Sequence, residues 1–103
     1  MAPVEVGDLV IDCAARVVTL RGRQVGLTPL EFRLVRELAT HRDRAVCVDD
    51  LLRTVWGCSL SAGGTRAQVA SCIKRLRRKV EPDPGNPRYL QSVRGWGYRL
   101  SSL

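Results

Sequence analysis

The stretch from Arg66 to Lys79, RAQVASCIKRLRRK, holds six basic residues and no acid. Its apolar residues are not scattered: Val69, Ile73, Leu76 and Val80 recur at heptad-like spacing and share one face of a helix. The opposite face carries Ala67, Ser71, Lys74 and Arg78, flanked by Arg75 on one side and by Ala70 and Arg77 on the other. Such a helix must bury one side in a core and offer the other to a partner. Thr65 and Gln68 read as a capping box that opens it, and Pro82-Asp83-Pro84-Gly85-Asn86-Pro87 is turn chemistry that stops it after Glu81. Tyr89–Val93 and Gly97–Leu100 then read as two strands folded back across Arg94-Gly95-Trp96.

The charge is as uneven as the pattern. Residues 1–50 carry seven Arg against eight acids, whereas 51–103 carry eight Arg and two Lys against Glu81 and Asp83, so the net charge of +7 resides in the second half. With a pI near 10.1, this is the electrostatic footprint of a polyanion binder, because each neutralised phosphate releases condensed counterions. A cationic helix beside an Arg-tipped β-ribbon fits a DNA groove and its phosphates.

Other classes find little support. An enzyme needs convergent titratable groups, but there is one histidine, His41, the acids are scattered and no glycine-rich phosphate loop is present. Cys13, Cys47, Cys58 and Cys72 include no Cys-x-x-Cys pair, so reduced, partly buried thiols are expected rather than a metal site, a disulfide or a redox switch. No metal and no cofactor are expected. Nothing resembles a signal peptide, and no stretch approaches the roughly 18 apolar residues of a spanning helix, so the chain is expected to be soluble and cytoplasmic.

Length places the 103 residues in one domain. An N-terminal antiparallel meander is expected over about 7–27: Leu9, Ile11, Val17 and Thr19 alternate around Asp12-Cys13-Ala14-Ala15, and Arg21-Gly22-Arg23-Gln24 makes a second turn before Val25 and Leu27. Helices fill about 28–81. The first opens with Thr28 as N-cap, Pro29 at the first position and Glu31 completing a capping box, and it runs to about Thr40, with His41 as a cap or surface residue. The second spans about Val48 to Val55, with Leu51, Leu52, Val55 and Trp56 inward and Gly57 as its stop; residues 58–64 form a flexible, uncharged loop. The hairpin closes the chain over about 88–101.

Five ordered motifs resemble the OmpR/PhoB-type winged-helix DNA-binding domain of bacterial response regulators. They are Leu27-Thr28-Pro29-x-Glu31-Phe32-x-Leu34, Leu51-Leu52-x-x-Val55-Trp56-Gly57, Ile73-x-Arg75-Leu76-Arg77-x-Lys79, Asn86-Pro87-x-Tyr89 and Val93-Arg94-Gly95-x-Gly97-Tyr98-Arg99-Leu100. Gly7-x-Leu9 with Asp12, Arg16, Val18 and Gly22 extends the likeness into the first sheet. The resemblance implies an α+β winged helix-turn-helix: an N-terminal antiparallel sheet, three helices and a β-hairpin wing. It implies a transcriptional regulator that binds double-stranded DNA sequence-specifically, with its third helix in the major groove and its wing in the adjacent minor groove.

By position, Arg66, Gln68, Ser71, Lys74, Arg75, Arg77 and Arg78 would face DNA from that helix and Arg94 from the wing, with Tyr98 and the backbone at Trp56-Gly57 on phosphate. Arg75 and Arg77 are the candidates for guanine edges, and Lys74 and Arg78 for the backbone. Tyr98 is as well suited to plain packing as to contact, and Trp96 is better suited to packing. The implied partners are tandem direct-repeat half-sites, bound head to tail by a chain monomeric in solution, and RNA polymerase through 58–64; the setting is the nucleoid. The alternative is a winged-helix module for protein or RNA, for which Trp96 at the wing tip is the best feature.

Departures from the family pattern matter. Where the recognition helix usually begins Arg-Thr-Val-Asp-Val-His, this chain has Ala67-Gln68-Val69-Ala70-Ser71-Cys72, so a phosphate contact from position 67 is lost and Arg66 is its nearest substitute. Cys47 stands where Ser or Thr would cap the second helix, and 58–64 lacks the acids often found there. The phospho-acceptor domain common in the family is not among these residues, so either an effector domain from a response regulator or a stand-alone regulator is expected.

Overall fold

The computed structural model describes residues 2–101. Strands β1 (Val4–Val6), β2 (Leu9–Asp12), β3 (Val17–Leu20) and β4 (Arg23–Val25) form an antiparallel sheet in sequence order. Its turns follow from backbone chemistry. Gly7 opens the β1–β2 turn at φ 57°, and Arg21 and Gly22 both lie in the left-handed region, as a two-residue hairpin between twisted strands requires. A side chain at position 7 would also crowd its neighbour: a Cβ there would stand 3.2 Å from the Tyr89 ring.

Helix α1 (Pro29–Thr40) begins with the expected reciprocal cap: Glu31 N–H donates to Thr28 Oγ1 at 3.2 Å, and Thr28 N–H donates to Glu31 Oε1 at 3.0 Å. His41 is its C-cap. Strand β5 (Val46–Cys47) leads into α2 (Val48–Leu51), which widens into a π-helical turn over Leu52–Trp56 and ends at Gly57 with φ 72°. The sulfur of Cys47 does act as the cap of α2, accepting from Asp50 N–H at 3.5 Å.

Residues 58–64, expected as a flexible loop, contain a 3₁₀ turn at Leu60–Ala62 with contacts of its own. Asp49 takes the Leu60 N–H at 2.8 Å, and the Cys58 thiol donates to the Ala62 carbonyl at 3.0 Å. Helix α3 (Arg66–Val80) opens with the Thr65/Gln68 box and buries Val69, Cys72, Ile73, Leu76 and Val80. Strands β6 (Leu90–Val93) and β7 (Gly97–Leu100) form the wing, and β5 pairs with the far side of β7.

Three expectations need correction. The first sheet starts at Val4, because Val4 and Val6 pair with Ile11 and Leu9 across the Gly7-Asp8 turn. Arg23 and Gln24 belong to strand β4, since the two-residue turn is complete at Gly22. Trp96 is not packing: it is 54% exposed at the wing turn.

One core joins these parts. Val6, Leu9, Ile11 and Val18 from the sheet meet Leu34, Val35 and Leu38 of α1, the buried face of α3, and Tyr89, Leu90 and Leu100 of the wing base. Among the described residues no helix is long and apolar enough to cross a membrane.

Candidate nucleic-acid interface

The open face of α3 follows from its buried stripe. With Val69, Ile73 and Leu76 turned inward, Arg66, Ala67, Gln68, Ala70, Ser71, Lys74, Arg75 and Arg78 are left exposed. The small residues lie in the first half of the helix, so the backbone is closely approachable there and cations gather towards its end. Beside its first turn, the wing contributes Ser92, Arg94, Gly95, Trp96 and Tyr98 to a shallow groove shared with Arg66, Ala67 and Ala70. A second groove runs between Leu30, Trp56, Thr65, Gln68, Ser71 and Arg75. The expected site residues thus gather along one helix face and its two margins, with Arg77 as the exception.

The wing is held at this angle by polar anchors. Glu81, just past α3 and 5% exposed, accepts N–H groups from Arg88 at 2.7 Å, Tyr89 at 3.0 Å and Leu90 at 2.7 Å. Gly97 lets β7 approach β5 closely; a Cβ there would sit 1.9 Å from the Val46 carbonyl oxygen. Val48 N–H donates to the Trp96 carbonyl at 3.1 Å, tying the wing turn to α2. At the turn itself Gly95 has φ 74° and Arg94 is exposed beside it.

Arg77 lies elsewhere than the sequence suggests. Its Nε and Nη2 donate to the Leu90 carbonyl at 3.0 and 2.8 Å, and Nη2 also donates to Ser92 Oγ at 3.0 Å. Its guanidinium is therefore engaged by β6 rather than turned to the open face. Gln68 is likewise occupied, its Oε1 accepting from Thr65 N–H at 2.7 Å in the cap. Tyr98 is half-buried opposite Ser92 and Val46. Trp56 is half-buried against the core. Arg66, Ser71, Lys74 and Arg78 remain on the surface.

Two residues escaped the sequence reading. Ser92 had no signal beyond its place in a strand, yet it sits between Arg77 and the wing groove. Glu31 was visible only as a cap. In the fold its carboxylate, 1% exposed, meets Lys79 Nζ at 2.6 Å and Arg75 Nε at 3.4 Å across from α3. Burial alone would raise the Glu31 pKa, but the hydrogen bonds from Lys79 and Thr28 and the charges of Lys79 and Arg75 outweigh it and hold the carboxyl below its ordinary range. Burial pushes the Cys72 thiol the other way, up, which keeps it protonated and a poor nucleophile.

The surroundings of this face have known counterparts. The family described as "Transcriptional regulatory protein, C terminal" matches residues 22–100. The transcriptional regulatory protein AfsQ1 of Streptomyces coelicolor is 44% identical over 94 residues, covering 91% of this chain, and the chain spans 41% of the length of that relative. The RstA DNA-binding domain of Klebsiella pneumoniae, solved in complex with the RstA box, superposes with a TM-score of 0.88 at 31% identity, covering 100% of both chains. The response regulator DrrB of Thermotoga maritima, an OmpR/PhoB homologue, gives a TM-score of 0.86 at 32% identity, covering 96% of this chain and 44% of that one. Motifs, topology and these likenesses agree: the chain belongs to the OmpR/PhoB-type family of transcriptional regulator C-terminal domains, a family of winged-helix DNA-binding domains and not a class of enzymes.

Proposed function

We propose that this chain binds double-stranded DNA sequence-specifically, as the effector domain of a bacterial transcriptional regulator. Helix α3 enters the major groove, and the wing reaches the adjacent minor groove. The observation that carries this reading is the open face of α3: it carries cations and no acid, and its first turn borders the wing groove of Arg94. In α3 an exposed run of Ala67, Ala70 and Ser71 allows the backbone close to the duplex, while Lys74 and Arg78 reach phosphate. Arg75 is the base reader, because Arg77 is held by Leu90 and Ser92. Arg66 supplies the phosphate contact that Ala67 lacks. Arg94 suits a narrow, A·T-rich minor groove, where negative potential is concentrated. Tyr98 borders the wing groove, Gln68 and Trp56 border the second groove, and with the Trp56-Gly57 backbone they complete the phosphate contacts.

The domain is a monomer in solution and pairs head to tail on tandem direct repeats, in the cytoplasm and at the nucleoid. The turn at 58–64, with Leu60 39% exposed, stands clear of the α3–wing groove and is the surface left for RNA polymerase. Selection of bound sequences from a random duplex library tests the reading. It should return direct repeats about one helical turn apart, about 10 to 11 bp centre to centre. Inserting about 5 bp between half-sites turns the second domain to the opposite face and should abolish cooperativity without weakening single-site binding. Inverted repeats would overturn the arrangement, and preferential capture of RNA competitor would favour the RNA-binding alternative.

A further inference from the structure

Arg75 and Arg77 are two residues apart in sequence, and each is held by a different part of the protein. Arg77 is engaged through both Nε and Nη2 by the wing. Arg75 forms an ion pair at Nε with Glu31 Oε2 at 3.4 Å, has the Cys72 thiol as a second neighbour, and stays 49% exposed along the groove shared with Gln68 and Ser71. Nε lies on the flank of the guanidinium, so a carboxylate charge 3.4 Å from it draws that flank towards α1. The outer end carries the paired nitrogens that match the O6 and N7 acceptors of guanine.

Glu31 is suited to hold that flank because it cannot itself move freely. Its carboxylate is 1% exposed, its Oε1 is held by Thr28 N–H at 3.0 Å and by Lys79 Nζ at 2.6 Å, and its backbone N–H is tied to Thr28 Oγ1. Oε2 then faces α3 from a rigid helix start. A side chain held in place before binding loses less rotamer freedom when it meets a base, and it favours the base edge within reach of that position.

We propose that Glu31, a residue of α1 outside the DNA-facing surface, is a positioning residue that sets base preference by orienting Arg75. This rests on the reading of Arg75 as a base contact. The test is a double-mutant cycle on the intact domain, using the enriched duplex, its single base-pair variants and a random duplex. Glu31→Gln preserves the shape of the side chain and an acceptor for Thr28. It should reduce discrimination at the Arg75-dependent base pair by about tenfold, and in an Arg75→Ala background it should have no further effect on discrimination. Affinity for the random duplex should not fall, because the cations that meet phosphate are untouched. Unchanged discrimination in Glu31→Gln, or an equal loss in the Arg75→Ala background, would overturn the proposal. Absence of any base preference in the wild type, or a preference that Arg75→Ala does not alter, would instead remove the reading beneath it. Should Glu31→Gln fail to fold, side-chain NMR of the wild type decides. The Arg75 guanidinium should be as ordered free as when bound, whereas Arg66 and Arg78 should be mobile when free; an Arg75 as mobile as Arg78 in the free protein overturns the proposal.

Discussion

The two antiparallel sheets of this domain are attached to its core by different physics. The N-terminal sheet is held by apolar side chains: Val6, Leu9, Ile11 and Val18 are each at most 1% exposed, and their strands alternate buried with partly exposed positions. The wing also buries Leu90 and Leu100 at its base, but its angle is set by polar groups: Glu81 on three backbone N–H groups, Arg77 on the Leu90 carbonyl, and Val48 on the Trp96 carbonyl. A sheet whose whole task is packing can rely on non-directional burial. A hairpin that projects Arg94 and Trp96 into solvent has no apolar face at its tip to fix it, so directional bonds at its base take over.

Breaking the polar anchor should have the largest effect. Glu81→Ala would leave two buried N–H groups and one part-buried N–H group without their acceptor, a loss of about 3–5 kcal/mol in urea unfolding. Amide exchange should then show residues 88–93 losing protection ahead of the first sheet. The apolar counterpart is Ile11→Ala, expected to cost about 3 kcal/mol, with exchange rising first in β1–β3. If both variants loosen both sheets equally, the contrast between the two attachments is wrong. Arg77→Ala is milder, about 1–2 kcal/mol, because it strips one acceptor, the Leu90 carbonyl, where Glu81→Ala strips three donors, and solvent reaches Ser92. Its sharper signature is a wing that moves independently of α3, seen as a fall in backbone order at 94–96.

The smallest effect is the one with pH. Because the folded Glu31 pKa is depressed, its contribution to stability is fully present above the ordinary glutamate range and is lost as pH falls through the folded value. The stability difference between wild type and Glu31→Gln should therefore be constant at neutral pH and narrow only in acid below that range. A difference that instead changes around neutral pH would mean that another group is titrating.

The sequence revealed what is local and concealed what is distant. Thr28 with Glu31 and Thr65 with Gln68 form boxes within four residues, so both helix starts were readable and fall where expected. The two-residue strand β5 has no pattern of its own and exists because Gly97 admits it beside β7. The π-helical turn at Leu52–Trp56 likewise leaves the apolar spacing of an ordinary helix almost unchanged. In the candidate site, the exposed set of α3 followed from periodicity, but the fates of its arginines did not. Arg75 meets a carboxylate 44 positions earlier in the chain and Arg77 a carbonyl 13 later, and no helical wheel contains either partner.

The central claim is that the open face of α3 and the wing together form a phosphate-binding, base-reading surface. Affinity for an enriched duplex, titrated over salt, tests it most directly. About 4 to 7 phosphate contacts per domain predict that log K falls with log salt at a slope of roughly −4 to −6, with the enriched duplex favoured over random sequence throughout. A slope near zero, or equal affinity for both duplexes, would contradict it.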